Sequence, residues 1–180
     1  LCDPVCGSAT FLIEAAWIAT DRAPGLGRSF AFEHWRDVDL DAWRQIYDDA
    51  EARGERGLAN LPKLAGNDRH SGALSIAKKA LASAGLTEAV KLAHGDALNY
   101  TPPFTPAVVV ANPPYGDRLQ ADPERLADSW RAVGDFLHRS GAPLAYVLCG
   151  NPELTRWLGL RSSYKHPLRT GPIECRWLRY

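Results

Sequence analysis

Apolar positions along the chain alternate between two periods. Behind Ser8 as a cap, Phe11, Leu12, Ala15, Ala16 and Ala19 share one helical face. Ser71 caps a second helix, with Leu74, Ala77, Leu81 and Ala84 as its stripe and Gly85 as its stop. Asp122 and Pro123 open a long helix that turns Leu126, Trp130, Val133 and Leu137 inward and ends at Gly141. Asn151 and Pro152 start a short one, ending near Gly159. Between them, short apolar runs read as strands: "KLAGND", "AVKLAHGD", "PAVVVAN" and "PLAYVLCG". The left edge at "LCDP" lies inside a further strand. Two last extended runs, "SSYKHPL" and "IECRWLRY", join at "RTGP" as a hairpin.

The alternation predicts an α/β three-layer sandwich on a mostly parallel sheet, closed by a C-terminal antiparallel hairpin. From Asp21 to about Pro62 the pattern loosens. "RAPGLGR" is a loop, and Asp39 caps a helix with Leu40, Trp43, Ile46, Tyr47 and Ala50 on one side. This stretch is too long for an ordinary helix-to-strand connection and is expected to be an insertion within one domain spanning residues 1–180.

The chain has 180 residues, 46% of them hydrophobic, enough for one substantial core. No apolar run approaches the roughly 18–20 residues of a membrane span, and no signal peptide is visible. There is no Met, so the sequence is expected to be cut from a longer protein. The formal net charge is zero, which argues against a stand-alone nucleic-acid binder. Acids nevertheless crowd Asp37 to Glu51, and bases crowd the tail (Arg156, Arg161, Lys165, Arg169, Arg176, Arg179). Solvated faces explain such runs, and a weakly RNA-facing tail is the sharper reading. Cys2, Cys6, Cys149 and Cys175 form no C-x-x-C pair or Cys/His cluster, so no metal site is expected. Buried thiols point to a reducing, cytoplasmic setting.

In parallel α/β sheets the ligand lies beyond the carboxyl ends of the strands. Those ends carry Asp3 to Gly7, Asp68, Asp96 and Asn112 to Tyr115. "DPVCGSAT" places an acid and a proline turn before small residues that open a helix. Its N–H groups and helix terminus suit an anionic group, although a tight turn needs the same residues. The G-K-[ST] of a P-loop and the G-x-G-x-x-G of a dinucleotide fold are absent. Asp68 is placed to accept both hydroxyls of a ribose, or else to cap the next helix. Asp96 is placed to accept from an adenine amino group, or else is a turn residue. A nucleoside with a charged amino-acid end describes S-adenosylmethionine (SAM).

"NPPY", Asn112 to Tyr115, ends a buried strand with an amide, two prolines and a ring. An amine conjugated to a ring is a poor nucleophile. Acceptors aimed at its N–H groups favour a tetrahedral nitrogen and free the lone pair. The Asn112 side chain and the Pro113 carbonyl are candidate acceptors, held by proline geometry. Tyr115 can stack on a flat substrate, a contact worth about 1–3 kcal/mol for a base.

[DNS]-P-P-[YFW] after an acid-rich SAM site is the amino-methyltransferase signature. More narrowly, "DPVCGSATFLIEAA", "DRAPG", "ANPPYGDRL" and "GPIEC" resemble the THUMP-associated RNA guanine-N2 methyltransferases, particularly those acting on bacterial 23S ribosomal RNA. The likeness covers nearly the whole chain in order. It implies a seven-stranded class I SAM-dependent methyltransferase (Rossmann-like) fold. It implies that Asp3, Pro4, Cys6, Gly7, Ser8 and Thr10 hold the methionine part of SAM, Asp68 the ribose and Asp96 the adenine. Asn112, Pro113, Pro114 and Tyr115 would hold the target guanine, with Asn112 also bordering the cofactor. The family usually has Gly where Ala9 stands. If that turn needs positive φ, Ala costs roughly 1–2 kcal/mol, and Gly would strengthen SAM binding. The THUMP domain that would supply most of the RNA affinity is not in this sequence. Adenine-N6 or glutamine-N5 methylation shares the signature, and a SAM-deficient RNA-binding or assembly module is the reading from another class.

Overall fold

Strands β1 (Cys2–Asp3), β2 (Leu64–Asp68), β3 (Val90–His94), β4 (Val109–Ala111), β5 (Ala145–Cys149), β6 (Tyr164–Thr170) and β7 (Ile173–Arg179) form one sheet. Their order is β3-β2-β1-β4-β5-β7-β6. The first five run parallel, and β7 inserts antiparallel between β5 and β6. The structure is a computed structural model that describes residues 1–116 and 122–180. The "DRL" of "ANPPYGDRL" lies outside the described residues.

The buried apolar runs of β4 and β5 are what a sheet covered on both faces requires. On one face, Trp130, Val133, Phe136 and Leu137 of α4 (Pro123–Ser140) join a core with Val109, Val147, Cys149 and Leu178. On the other, Phe11 of α1 (Thr10–Ala19) meets Trp177 edge-on with ring centroids 5.4 Å apart, and Trp177 stacks on Tyr146. Trp177 and Leu178 are consecutive on β7, so their side chains leave opposite faces and α1 and α4 flank the sheet. Gly66 of β2 is required here, since a Cβ would come within 2.6 Å of the Leu12 side chain.

The helix starts differ from the sequence reading in two places. Ala9, not Ser8, precedes α1: its carbonyl accepts the Ile13 N–H at 3.0 Å, while the Ser8 hydroxyl pairs with that of Thr10. His70, not Ser71, precedes α3 (Ser71–Ser83), because Asp68 Oδ1 accepts the His70 N–H at 2.9 Å and sets the turn one residue earlier. Asp122 and Asn151 cap as expected, accepting from Glu124 and Glu153. The segment after Asn151 is a 3-10 helix, Pro152–Leu158. Gly85 and Gly141 end their helices in the left-handed region.

Two compact units emerge: residues Leu1–Ile13 with Lys63–Tyr180, and Glu14–Pro62. The second holds the remainder of α1 and α2 (Leu40–Gly57), capped by Asp39 through the Asp41 and Ala42 N–H groups. Arg53 forks onto both oxygens of Asp21 at 2.8 and 2.7 Å. The expected α2 stripe is only partly realised. Trp43 joins Phe30, Phe32 and Tyr47 in an edge-to-face ring cluster, which leaves Leu40 and Ile46 exposed. Among the described residues, no helix is long and apolar enough to cross a membrane.

Candidate active site

A cavity of about 490 Å³ opens beyond the carboxyl ends of β1 to β4, within the first unit. Its wall takes Pro4, Val5 and Gly7 after β1, Asp68 to His70 after β2, and Asp96 after β3. Asn112 to Gly116 after β4 and the Leu126 edge of α4 complete it. Eight of the residues named from sequence therefore share one cavity: Pro4, Gly7, Asp68, Asp96, Asn112, Pro113, Pro114 and Tyr115.

Asp3, Cys6, Ser8 and Thr10 are not brought to that wall. Asp3 is buried and its Oδ1 accepts the Val5 N–H at 3.0 Å. Burial pushes its carboxyl up to about 8, the Val5 hydrogen bond pulls back, and the Asp68 charge adds to the rise. The Cys6 thiol packs toward Gly66, and burial raises it. Ser8 and Thr10 are exposed and bond each other. Ala9 is fully buried at φ 65°, the positive-φ alternative for this turn.

Four of the turn's backbone donors are committed within the protein. The N–H groups of Val5, Cys6, Gly7 and Ala9 donate to Asp3 Oδ1, the Asn67 carbonyl, Asp68 Oδ2 and the Cys6 carbonyl. Asp68 thus bridges two strand ends, with Oδ2 on Gly7 and Oδ1 on His70, both at 2.9 Å. Each carboxylate oxygen of this cavity-lining residue can accept a further hydrogen bond. Asp96 is exposed, and its Oδ1 turns the chain by accepting the Leu98 N–H.

The loop after β4 is anchored from two sides. Trp130, fully buried on α4, donates its indole N–H to the Pro114 carbonyl at 2.8 Å. The Tyr115 ring lies over Gly150 at the end of β5, where a Cβ would fall 2.7 Å from two ring carbons. Pro113 is buried between these anchors, while Asn112 and Pro114 are exposed.

Several supporting residues escaped the sequence reading. Asn67 donates through Nδ2 to the Pro4 and Gly95 carbonyls, pinning the ends of β1 and β3 to β2. Arg139 of α4 grips the Ala97, Leu98 and Tyr100 carbonyls and so holds the Asp96 loop. Arg69 and His70 bring polar groups to the wall. The polar run "NDRH" at a strand end is the one signal that could have drawn attention to them.

The family model of UPF0020, the RMKL-like methyltransferase domain, matches residues 1–179. The chain belongs to this family. A curated relative is the ribosomal RNA large subunit methyltransferase K/L of Methylococcus capsulatus, 41% identical over 178 residues. The match covers 98% of this chain and 24% of that protein. The Shewanella baltica protein of the same name is 38% identical over 97% of this chain and 25% of its own length. The chain thus spans about a quarter of the curated relatives it matches. Among solved structures, SMU.472 complexed with SAH superposes with a TM-score of 0.89 at 27% identity, over 99% of this chain and 47% of that one. A structure described as a predicted N6-adenine-specific DNA methylase from Listeria monocytogenes gives 0.85 at 30% identity, over 99% and 45%. The sheet order and the terminal hairpin of this RMKL-like domain are accordingly those of a methyltransferase fold.

Proposed function

We propose that this RMKL-like domain transfers a methyl group from SAM to the exocyclic N2 amine of a guanine in RNA, with 23S ribosomal RNA as the substrate class. The observation that carries the reading is the convergence of Asp68, Asp96 and Asn112–Tyr115 on one cavity. Its volume, about 490 Å³, falls in the range of small-molecule sites, about 300–1,000 Å³. The curated relatives carry ribosomal RNA in their names, and a similar structure was solved with SAH.

SAM, when bound, supplies an electrophilic methyl group on a sulfonium. Asp68 accepts the ribose hydroxyls with lone pairs not used by Gly7 and His70. Asp96 accepts from the adenine amino group. Because the N–H groups of Val5, Cys6, Gly7 and Ala9 are spent within the turn or on the end of β2, Pro4 and Gly7 contribute shape and close approach, not hydrogen-bond donors, to the methionine part. The Asn112 amide oxygen and the Pro113 carbonyl accept the two N–H groups of the target amine, and Tyr115 stacks on its ring. The nitrogen forms its new bond to carbon as the carbon–sulfur bond breaks, and the electron pair leaves on sulfur. The ammonium product then loses a proton to water. The protein's contribution is positioning and aimed dipoles.

A second reading, adenine N6 in a nucleic acid, is favoured by the description of the Listeria monocytogenes structure. Nucleoside mass spectrometry separates the two. RNA treated with the full-length protein and methyl-labelled SAM is expected to yield labelled N2-methylguanosine, and the Asn112→Ala protein none. Label in N6-methyladenosine, or in protein glutamine, would reject the guanine reading.

A further inference from the structure

The β6–β7 hairpin reaches past the end of β5 on the cavity side. Register pairs Cys149, the last residue of β5, with Arg176. Ile173 to Cys175 and their partners Leu168 to Thr170 therefore overhang the sheet edge beyond which the cavity opens. Cross-strand partners share a face, so Arg176 leaves the sheet on the same side as Cys149, and Lys165 on the same side as Leu178. Cys149 and Leu178 both belong to the core under α4, so the two cations sit at its border. Burial raises the Cys149 thiol, while the Asn151 N–H and the Arg176 and Lys165 charges oppose that rise, as their closeness requires.

The same face carries the substrate loop. Pro114 is bonded to Trp130 of α4, and the Tyr115 ring lies over Gly150, next to Cys149. Neighbouring strands lie about 4.8 Å apart, so Arg176 stands one strand away from the support of the Tyr115 ring. Both cations are exposed, and they face uncharged cross-strand partners, Arg176 opposite Pro167 and Lys165 opposite Leu178. Arg169, further out, sits opposite Glu174, which offsets its charge. In a chain with no net charge, this leaves Arg176 level with the cavity end of β5, and Lys165 diagonal to it on the same face, level with Val147.

We propose that Arg176 and Lys165 form a phosphodiester-binding track, which holds the RNA backbone flanking the nucleotide stacked on Tyr115. The inference rests on the RNA reading above and adds where the strand runs: across the α4 side of the hairpin, over the end of β5. Arg176 supplies a planar fork for a phosphate, and Lys165 a point charge diagonal to it on the same face, two residues along the hairpin from Arg176's partner Pro167. The contacts are independent of base identity and set register on the substrate.

The test uses the full-length protein, single-stranded RNA and filter binding across a salt series. R176Q/K165Q is expected to weaken RNA binding about tenfold near 0.15 M salt and to make the log–log salt slope shallower by about 1.4, two lost phosphate contacts. SAH affinity should stay unchanged, and R176K/K165R, which keeps both charges, should retain the wild-type salt slope. The pair K78Q/K79Q, both exposed on α3, which joins β2 and β3 at the opposite end of the sheet from the hairpin, makes the same charge change and should bind as wild type. Wild-type binding and slope in R176Q/K165Q would overturn the track, as would an equal loss in K78Q/K79Q. If the wild type methylates RNA while R176Q/K165Q binds normally, only the track fails. If the wild type neither binds nor methylates RNA, the functional reading fails and the track with it.

Discussion

Asp68 Oδ2 accepts the Gly7 N–H at 2.9 Å, joining the turn after β1 to the end of β2 across 61 residues of sequence. The other oxygen holds the His70 N–H. The carboxylate shapes the wall it belongs to before any ligand arrives.

Asp68→Ala is therefore expected to lower both SAM affinity and stability. It removes an anionic acceptor and strands two N–H groups, each hydrogen bond to a charged group contributing about 1.5–3 kcal/mol. Asp68→Asn keeps one acceptor oxygen and should lose less of both. Calorimetric titration with SAM and melting curves read the two effects. Unchanged SAM affinity in Asp68→Ala would reduce the residue to a structural cap.

Trp130→Phe keeps a buried ring but removes the N–H that holds the Pro114 carbonyl. Gly150→Ala pushes a methyl into the Tyr115 ring from the other side. Both should lower kcat for methyl transfer by about 10- to 100-fold while leaving the KM for SAM near wild type, since misplacement by about 1 Å is enough. A fall in SAM binding equal to the fall in rate would show a general loss of the fold.

Ala9 sits at φ 65° with its methyl fully buried. The left-handed conformation costs Ala roughly 1–2 kcal/mol. Replacing it with Gly forfeits about 0.8 kcal/mol of buried methyl and about 0.5–1 kcal/mol of backbone entropy. These nearly cancel, which explains why Ala is tolerated in the turn. Ala9 is also not among the cavity-lining residues. Ala9→Gly should then shift Tm by no more than about 2 °C and leave SAM affinity within about twofold, in place of the tighter binding expected from sequence. Ala9→Val, β-branched at positive φ, should melt clearly lower. Tighter SAM binding by Ala9→Gly would show that the Ala9 methyl does crowd the ligand.

Burial raises the Asp3 carboxyl to about 8, against about 3.9 in an unfolded chain. The folded state thus holds a proton that the unfolded state releases. The contribution of Asp3 to stability is greatest below about pH 4, falls as pH rises toward 8, and is level above that. Asp3→Asn keeps an oxygen for the Val5 N–H and removes the titration. The melting-temperature gain of the variant over wild type should grow from pH 4 to 8 and then plateau. A gain independent of pH would mean that Asp3 is ionised in the folded protein throughout.

The sequence by itself determined what short-range chemistry controls. Helical stripes, strand runs and the terminal hairpin were legible because periodicity and turn residues report which face is buried. The strand-end positions of Asp68, Asp96 and Asn112–Tyr115 followed from that reading. Tertiary structure decided the rest, because it depends on which distant segments become neighbours. β4 lies beside β1 only in the folded sheet, and that pairing brings "NPPY" to the same cavity as Asp68. The direction of a side chain in a tight turn cannot be read from composition, so Asp3 and Cys6 turned inward. The start of α3 moved by one residue because Asp68, a long-range partner of Gly7, organises the entry to that helix. Trp130 and Asn67 had read only as core and strand residues, Arg139 had not stood out, and Arg176 had been one of a run of tail bases that read as a solvated face or, more sharply, as weakly RNA-facing. Each acquires its significance from a neighbour far away in the chain: a proline carbonyl, two strand ends, the Asp96 loop and the end of β5.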